Sequence, residues 1–95
     1  MKNPNESIVA IGRSAIAKEI RALEALEARL DDSFTQAVKL IAACRGRLIV
    51  TGIGKSGHVA RKIAATLTST GTRAIFLHAA EALHGDLGII APEDV

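Results

Sequence analysis

RLIVTGIGKSGHVARK, residues 47–62, decides how this chain folds. Leu48, Ile49 and Val50 form a short continuous apolar run, the pattern of a strand covered on both faces, as in parallel sheets. A glycine loop, 52–57, follows at once. From about 57 to 70 the spacing becomes helical, with Val59, Ile63, Ala64 and Leu67 expected to face inward and Gly71 to close the helix. RAIFLH, 73–78, is a second buried strand. Strand, helix and strand over 47–78 make a β-α-β unit, which pairs its two strands in parallel.

On the N-terminal side, residues 6–30 read as one long helix. Ile8, Ile11, Ala15, Ile16, Ile20, Leu23 and Leu30 fall on its apolar stripe. Such a stripe serves equally to cover the chain's own sheet or to lie across a neighbouring subunit. Asp31, Asp32 and Ser33 break the pattern and offer helix N-caps. A second helix is expected over about 33–44, carrying Phe34, Ala37, Val38 and Ile41, with a stop at Arg45-Gly46. On the C-terminal side, residues 79–90 begin as a short helical turn and become a loop at Gly85. Pro92, Glu93 and Asp94 form another turn, which leads toward a third strand. The organisation expected is a helical segment over 1–46 and the first β-α-β part of an α/β domain over 47–95, with further strands to follow in a longer protein.

Composition narrows the function. Twelve basic residues nearly balance ten acidic ones, for a net charge of +2, and no run of like charge stands out. Phe34 and Phe76 are the only aromatic residues, too few for base stacking, so a nucleic-acid partner is not expected. The apolar runs are too short to span a bilayer, and the N-terminus has no signal core, so the expected location is the cytoplasm. Cys44, the single cysteine, rules out an internal disulfide and reads as core filler within an apolar helical run.

The glycine loop admits several readings. Gly54-Lys55-Ser56 resembles the end of a Walker A loop, but Ile49 stands where that motif needs its first glycine. Gly52, Gly54 and Gly57 match a dinucleotide fingerprint, but the second strand ends at His78 and not at an acidic residue for the ribose. A sugar phosphate needs less: free N–H groups at a helix start, a hydroxyl and a cation. Gly54, Lys55, Ser56 and Gly57 supply them at the strand edge where α/β sheets bind ligands.

TGIGKSGHVARKIAATLTSTGT (51–72) followed by HAAEALHGDLG (78–88) resembles the sugar isomerase (SIS) domain of bacterial arabinose-5-phosphate isomerases. The resemblance departs at Arg73 and Ala79, where the family commonly has proline. It implies a parallel sheet flanked by helices in three flavodoxin-like layers, often followed by CBS domains, in a homotetramer. It also implies interconversion of ribulose 5-phosphate and arabinose 5-phosphate, on the route to the lipopolysaccharide sugar Kdo, without a cofactor. By matching motifs, Lys55 falls on the family's catalytically relevant lysine. Gly71 and Thr72 fall on its substrate-contacting turn, and His78 and His84 on its substrate-contacting histidines. His78 also matches a position linked to metal binding, which the chemistry does not require. The family's second phosphate loop and catalytic glutamates lie beyond Val95.

Isomerisation of an aldose to a ketose passes through an enediol. It needs a base, an acid and stabilisation of negative charge. Lys55 can stabilise that charge or act as the acid; the plainer reading is that it grips phosphate. His84 can shuttle a proton, or can be a surface histidine. His78, Glu81 and His84 are spaced too loosely to require a metal. His58 reads as exposed, and Asp86 either accepts a sugar hydroxyl or caps its turn. The alternative from another class is a sensing SIS module that binds a sugar phosphate without turning it over.

Overall fold

The computed structural model describes residues 4–95. The first three residues of the expected helical segment lie outside that range. Elements follow in the order α1 (Pro4–Arg29), α2 (Asp32–Ala42), β1 (Leu48–Gly52), α3 (Gly54–Ser69), β2 (Ala74–His78) and α4 (Ala79–Leu83), then a 3-10 turn over Asp86–Ile89. The chain divides into two compact units, and the division falls inside α2, after Thr35.

In the first unit, α1 carries its apolar stripe uncovered. It buries no residue, and Ile8, Ile11 and Ile16 are each more than three-fifths exposed. Helix α2 starts as the sequence suggests. Asp31 Oδ1 accepts hydrogen bonds from the N–H of Ser33 at 3.0 Å and from its hydroxyl at 2.6 Å. Those bonds, the side-chain one first, hold the Asp31 carboxyl below its ordinary value.

The second unit is built on the parallel pair β1–β2, in register from Leu48 opposite Ala74 to Gly52 opposite His78. The Leu48 N–H donates to Arg73 O at 2.8 Å, toward β2. Successive strand residues point their polar groups to opposite sides, so the Ile49 N–H turns away from β2. It donates to Val95 O at 2.7 Å, while the Val95 N–H donates to Arg47 O at 3.1 Å. That is parallel-ladder pairing. Val95 therefore lies along the second edge of β1.

Helix α3 covers β1 and β2 with a face that includes Ala64 and Leu67, as expected, but not Val59 and Ile63. Gly57, Ala60 and Ala64 are buried, with Leu67 half-buried on the same face, while Val59 and Ile63 point outward. The physical reason is distance. Residues without bulk let the helix axis lie close to the strands, and a β-carbon on Gly57 would already stand 3.2 Å from Gly52 O. The core is correspondingly small-residued: Ala60, Ala64 and Ala74, with Leu77. Cys44 is also displaced from its expected place. The helix ends at Ala42, and the half-buried Cys44 thiol lies 3.5 Å from Glu93 O in the turn beyond.

The C-terminal turn is tied to the start of β1 by one carboxylate. Asp94 Oδ1 accepts from the Arg47 N–H at 2.7 Å, and Oδ2 accepts from the Ala91 N–H at 2.8 Å. The Arg47 guanidinium stands 3.6 Å from Oδ2 and donates to Ile89 O at 2.7 Å. Only 2% of the Asp94 side chain is exposed. The Ala91 and Arg47 backbone bonds, in that order, pull its carboxyl below the ordinary carboxylate range. A folded-state pKa below the unfolded value stabilises the fold above the unfolded value, near pH 4, and that contribution fades as pH falls through the lowered one. A carbon-13 titration should therefore find the Asp94 midpoint below that of a free aspartate. A midpoint at or above it would show that the tie does not hold in solution.

Candidate active site

The helical start reaches further back than the spacing suggests. What reads as a loop over 52–57 is a single bend at Ile53, since Gly52 still belongs to β1 and residues from Gly54 onward are already in α3. Gly54 has φ +60°, a conformation glycine adopts without strain, and it lets the chain swing from strand to helix in two residues. Ile53 occupies the cap position in extended conformation and offers no side-chain acceptor. The Gly57 N–H donates to Ile53 O at 3.2 Å. The N–H groups of Gly54, Lys55 and Ser56 have no acceptor among the described residues. Helix starts leave such donors unpaired, and the helix dipole adds partial positive charge there. Lys55 and Ser56, both exposed, bring an ammonium and a hydroxyl to the same turn.

His78 enters from the neighbouring strand. It is the register partner of Gly52, so it ends β2 at the edge where α3 begins. Its Nδ1 accepts the Ala80 N–H at 3.1 Å and caps α4. A neutral His78 with Nδ1 accepting carries its hydrogen on Nε2, which leaves that atom as a donor. His84 follows at the end of α4, exposed, with Gly85 at φ +118° turning the chain away. Glu81 lies in the first turn of α4, and Asp86 opens the 3-10 turn. Among the described residues no three His, Cys, Asp or Glu side chains are gathered as a metal-holding group.

Gly71 and Thr72 are not brought to this place. Helix α3 has 16 residues, about 24 Å of length, and they lie past its far end. Gly71, at φ +101°, and the 2.8 Å bond from the Thr72 N–H to Leu67 O form the helix stop. Within one chain they therefore sit at the opposite end of the strands from Lys55. There they line a groove of about 490 Å³ with Val38, Ile41, Leu48 and Leu67. The spacing missed one pair of residues near His78. Arg61 lies over the Phe76 ring at 4.3 Å, and that ring meets the His78 imidazole edge-on.

A parallel strand that runs into an uncapped helix start, with lysine, serine and a strand-end histidine around it, is the arrangement in which α/β domains offer free N–H groups to anions. The chain belongs to the SIS domain family, whose pattern residues 40–95 match.

Its relatives are more particular. Arabinose 5-phosphate isomerase GutQ of Escherichia coli K12 is 50% identical over 91 residues, which cover 96% of this chain and 28% of that protein. Arabinose 5-phosphate isomerase KdsD of Pseudomonas aeruginosa is 48% identical over the same share of each. The solved structure of Escherichia coli CFT073 c3406 in complex with arabinose 5-phosphate superposes with a TM-score of 0.88 at 39% identity, covering 99% of this chain and 50% of that one. A structure from Listeria monocytogenes, described as that of a putative sugar-phosphate isomerase, gives a TM-score of 0.88 at 28% identity, over 98% of this chain and 49% of that one. The chain thus spans 28% of the length of the curated relatives it matches.

Proposed function

We propose that this chain carries one part of the active site of an aldose–ketose isomerase that interconverts arabinose 5-phosphate and ribulose 5-phosphate. The observation that supports it most is the open start of α3, with Lys55 in its first turn and His78 beside Gly52. The names of the relatives point the same way.

In this reading the free N–H groups of residues 54–56 and the Ser56 hydroxyl hold substrate oxygens. The Lys55 ammonium stabilises the negative charge that develops on the enediol oxygen as the proton leaves carbon. His78 donates from Nε2 to a substrate hydroxyl or carbonyl oxygen. His84, at the exposed end of α4, relays the proton between oxygens. The base that abstracts the carbon-bound proton is assigned outside residues 4–95. No cofactor takes part. A homo-oligomer, a tetramer by family resemblance, would cover the apolar stripe of α1. Among the described residues no helix is long and apolar enough to cross a membrane, and the proposed setting is cytoplasmic synthesis of the Kdo precursor.

The test is to incubate the protein, as its gene encodes it, with arabinose 5-phosphate in heavy water and follow the sugar by NMR. An enediol route with an exchanging base should yield ribulose 5-phosphate carrying solvent deuterium at C1. Binding without conversion would turn the reading into that of a sensing module, and neither binding nor conversion would reject it.

A further inference from the structure

Phe76 is one of two aromatic residues in the chain, and the mechanism above does not use it. It lies at the middle of β2, two residues before His78, so both side chains leave the strand on the same face. Three neighbours fix its ring. The Arg61 guanidinium carbon stands 4.3 Å from the ring centre, within cation–π range. Gly57, in the first turns of α3, presents only backbone: a β-carbon there would lie 3.6 Å from the ring's Cζ, in ordinary contact. The His78 ring meets Phe76 at 6.2 Å between centres and 88° between planes, the edge-to-face arrangement aromatic pairs favour.

His78 is thereby held from two sides. Its Nδ1 is engaged by the Ala80 N–H, and its ring plane is set against Phe76. Either contact alone leaves a freedom. The hydrogen bond permits the ring to rock about the Nδ1 direction, and the ring contact permits a flip that exchanges Nδ1 and Nε2. Together they favour one ring orientation, with Nδ1 turned to the Ala80 N–H.

We infer that Phe76 is a positioning residue, braced by Arg61 and seated on Gly57, that aims the Nε2–H of His78 at the ligand edge of the sheet. The same ring couples that aim to the α3 start, because the turn that bears Lys55 rests on it through Gly57. The inference rests on the isomerase reading for its effect on turnover, and on geometry alone for its effect on His78.

The experiment uses the protein as its gene encodes it, with two readouts. Nitrogen-15 NMR of His78 reports the tautomer, and steady-state kinetics with arabinose 5-phosphate separates kcat from KM. Phe76→Leu keeps the apolar bulk and removes the ring. It should shift the His78 nitrogens from the Nε2–H tautomer toward a mixture and lower kcat by about ten- to a hundredfold, the usual effect of loosening an oriented group, with KM little changed. Phe76→Tyr keeps the ring and should restore both. A tautomer unmoved in Phe76→Leu would overturn the inference, even if activity fell. Should Phe76→Leu fail to fold, Arg61→Met decides: it alters an exposed side chain and should produce a smaller shift of the same kind, and no shift would overturn the inference. A wild type without isomerase activity but with the tautomer response would refute the isomerase reading and leave the positioning intact.

Discussion

Lys55→Ala is expected to lower kcat for arabinose 5-phosphate by about 100- to 1000-fold, the cost of removing one donor aimed at developing negative charge. KM should change far less. The free N–H groups of residues 54–56 remain in the variant and still meet the substrate. Lys55→Arg retains the charge but spreads it over a planar fork, so it should recover binding and only part of the rate. A sensing module would behave differently, losing affinity with no turnover to lose. An alanine variant within threefold of wild type in kcat would remove Lys55 from the chemistry, because no uniform grip on phosphate distinguishes the transition state.

The second large effect concerns stability. A β-carbon on Gly52 would stand 3.0 Å from Gly57 N and from Ser56 C, and 3.1 Å from Ser56 O. All are backbone atoms in the first turn of α3, so no side chain can rotate aside. Gly52→Ala should therefore destabilise the fold by about 1–3 kcal/mol, the range for forced overpacking, and should push the α3 start off its strand. Gly12→Ala is the counter-case. Nothing lies within 4 Å of the added carbon in the middle of α1, so the better helix former should stabilise by about 0.5–1 kcal/mol. Urea unfolding checks both: the midpoints should move in opposite directions with the slope unchanged. A Gly52→Ala midpoint equal to wild type would mean that strand and helix do not approach as closely as described.

Much of this was legible in residues 47–78. Short continuous apolar runs mark β1 and β2, and the stop at Gly71 sits where its positive φ is required. The face of α3 was only half legible: Ala64 and Leu67 were expected inward, but Gly57 and Ala60 were not. Val59 and Ile63 carry the stronger hydrophobic signal, yet Gly57, Ala60 and Ala64 face the sheet because close approach favours small residues. The glycine motif likewise read as a longer loop, since glycines suggest turns, whereas only Gly54 has a positive φ there and the helix has already begun. Lys55 and His78 were expected near one edge, and the Gly52–His78 register puts β2's end beside the start of α3. Gly71 and Thr72 came from family resemblance, and no local signal could tell that α3 carries them to the other end of the strands. The Arg61–Phe76–His78 stack leaves no trace in spacing, because it joins a helix residue to alternate residues of a strand formed later in the chain.

The most direct test of the central claim, that the α3 start and the end of β2 form the ligand site, is a titration with arabinose 5-phosphate followed by amide NMR. The account predicts saturable shifts at Gly54, Lys55, Ser56 and His78, with Lys55→Ala weakening but not abolishing those at Gly54 and Ser56. Saturable binding that leaves these four amides unmoved would contradict it.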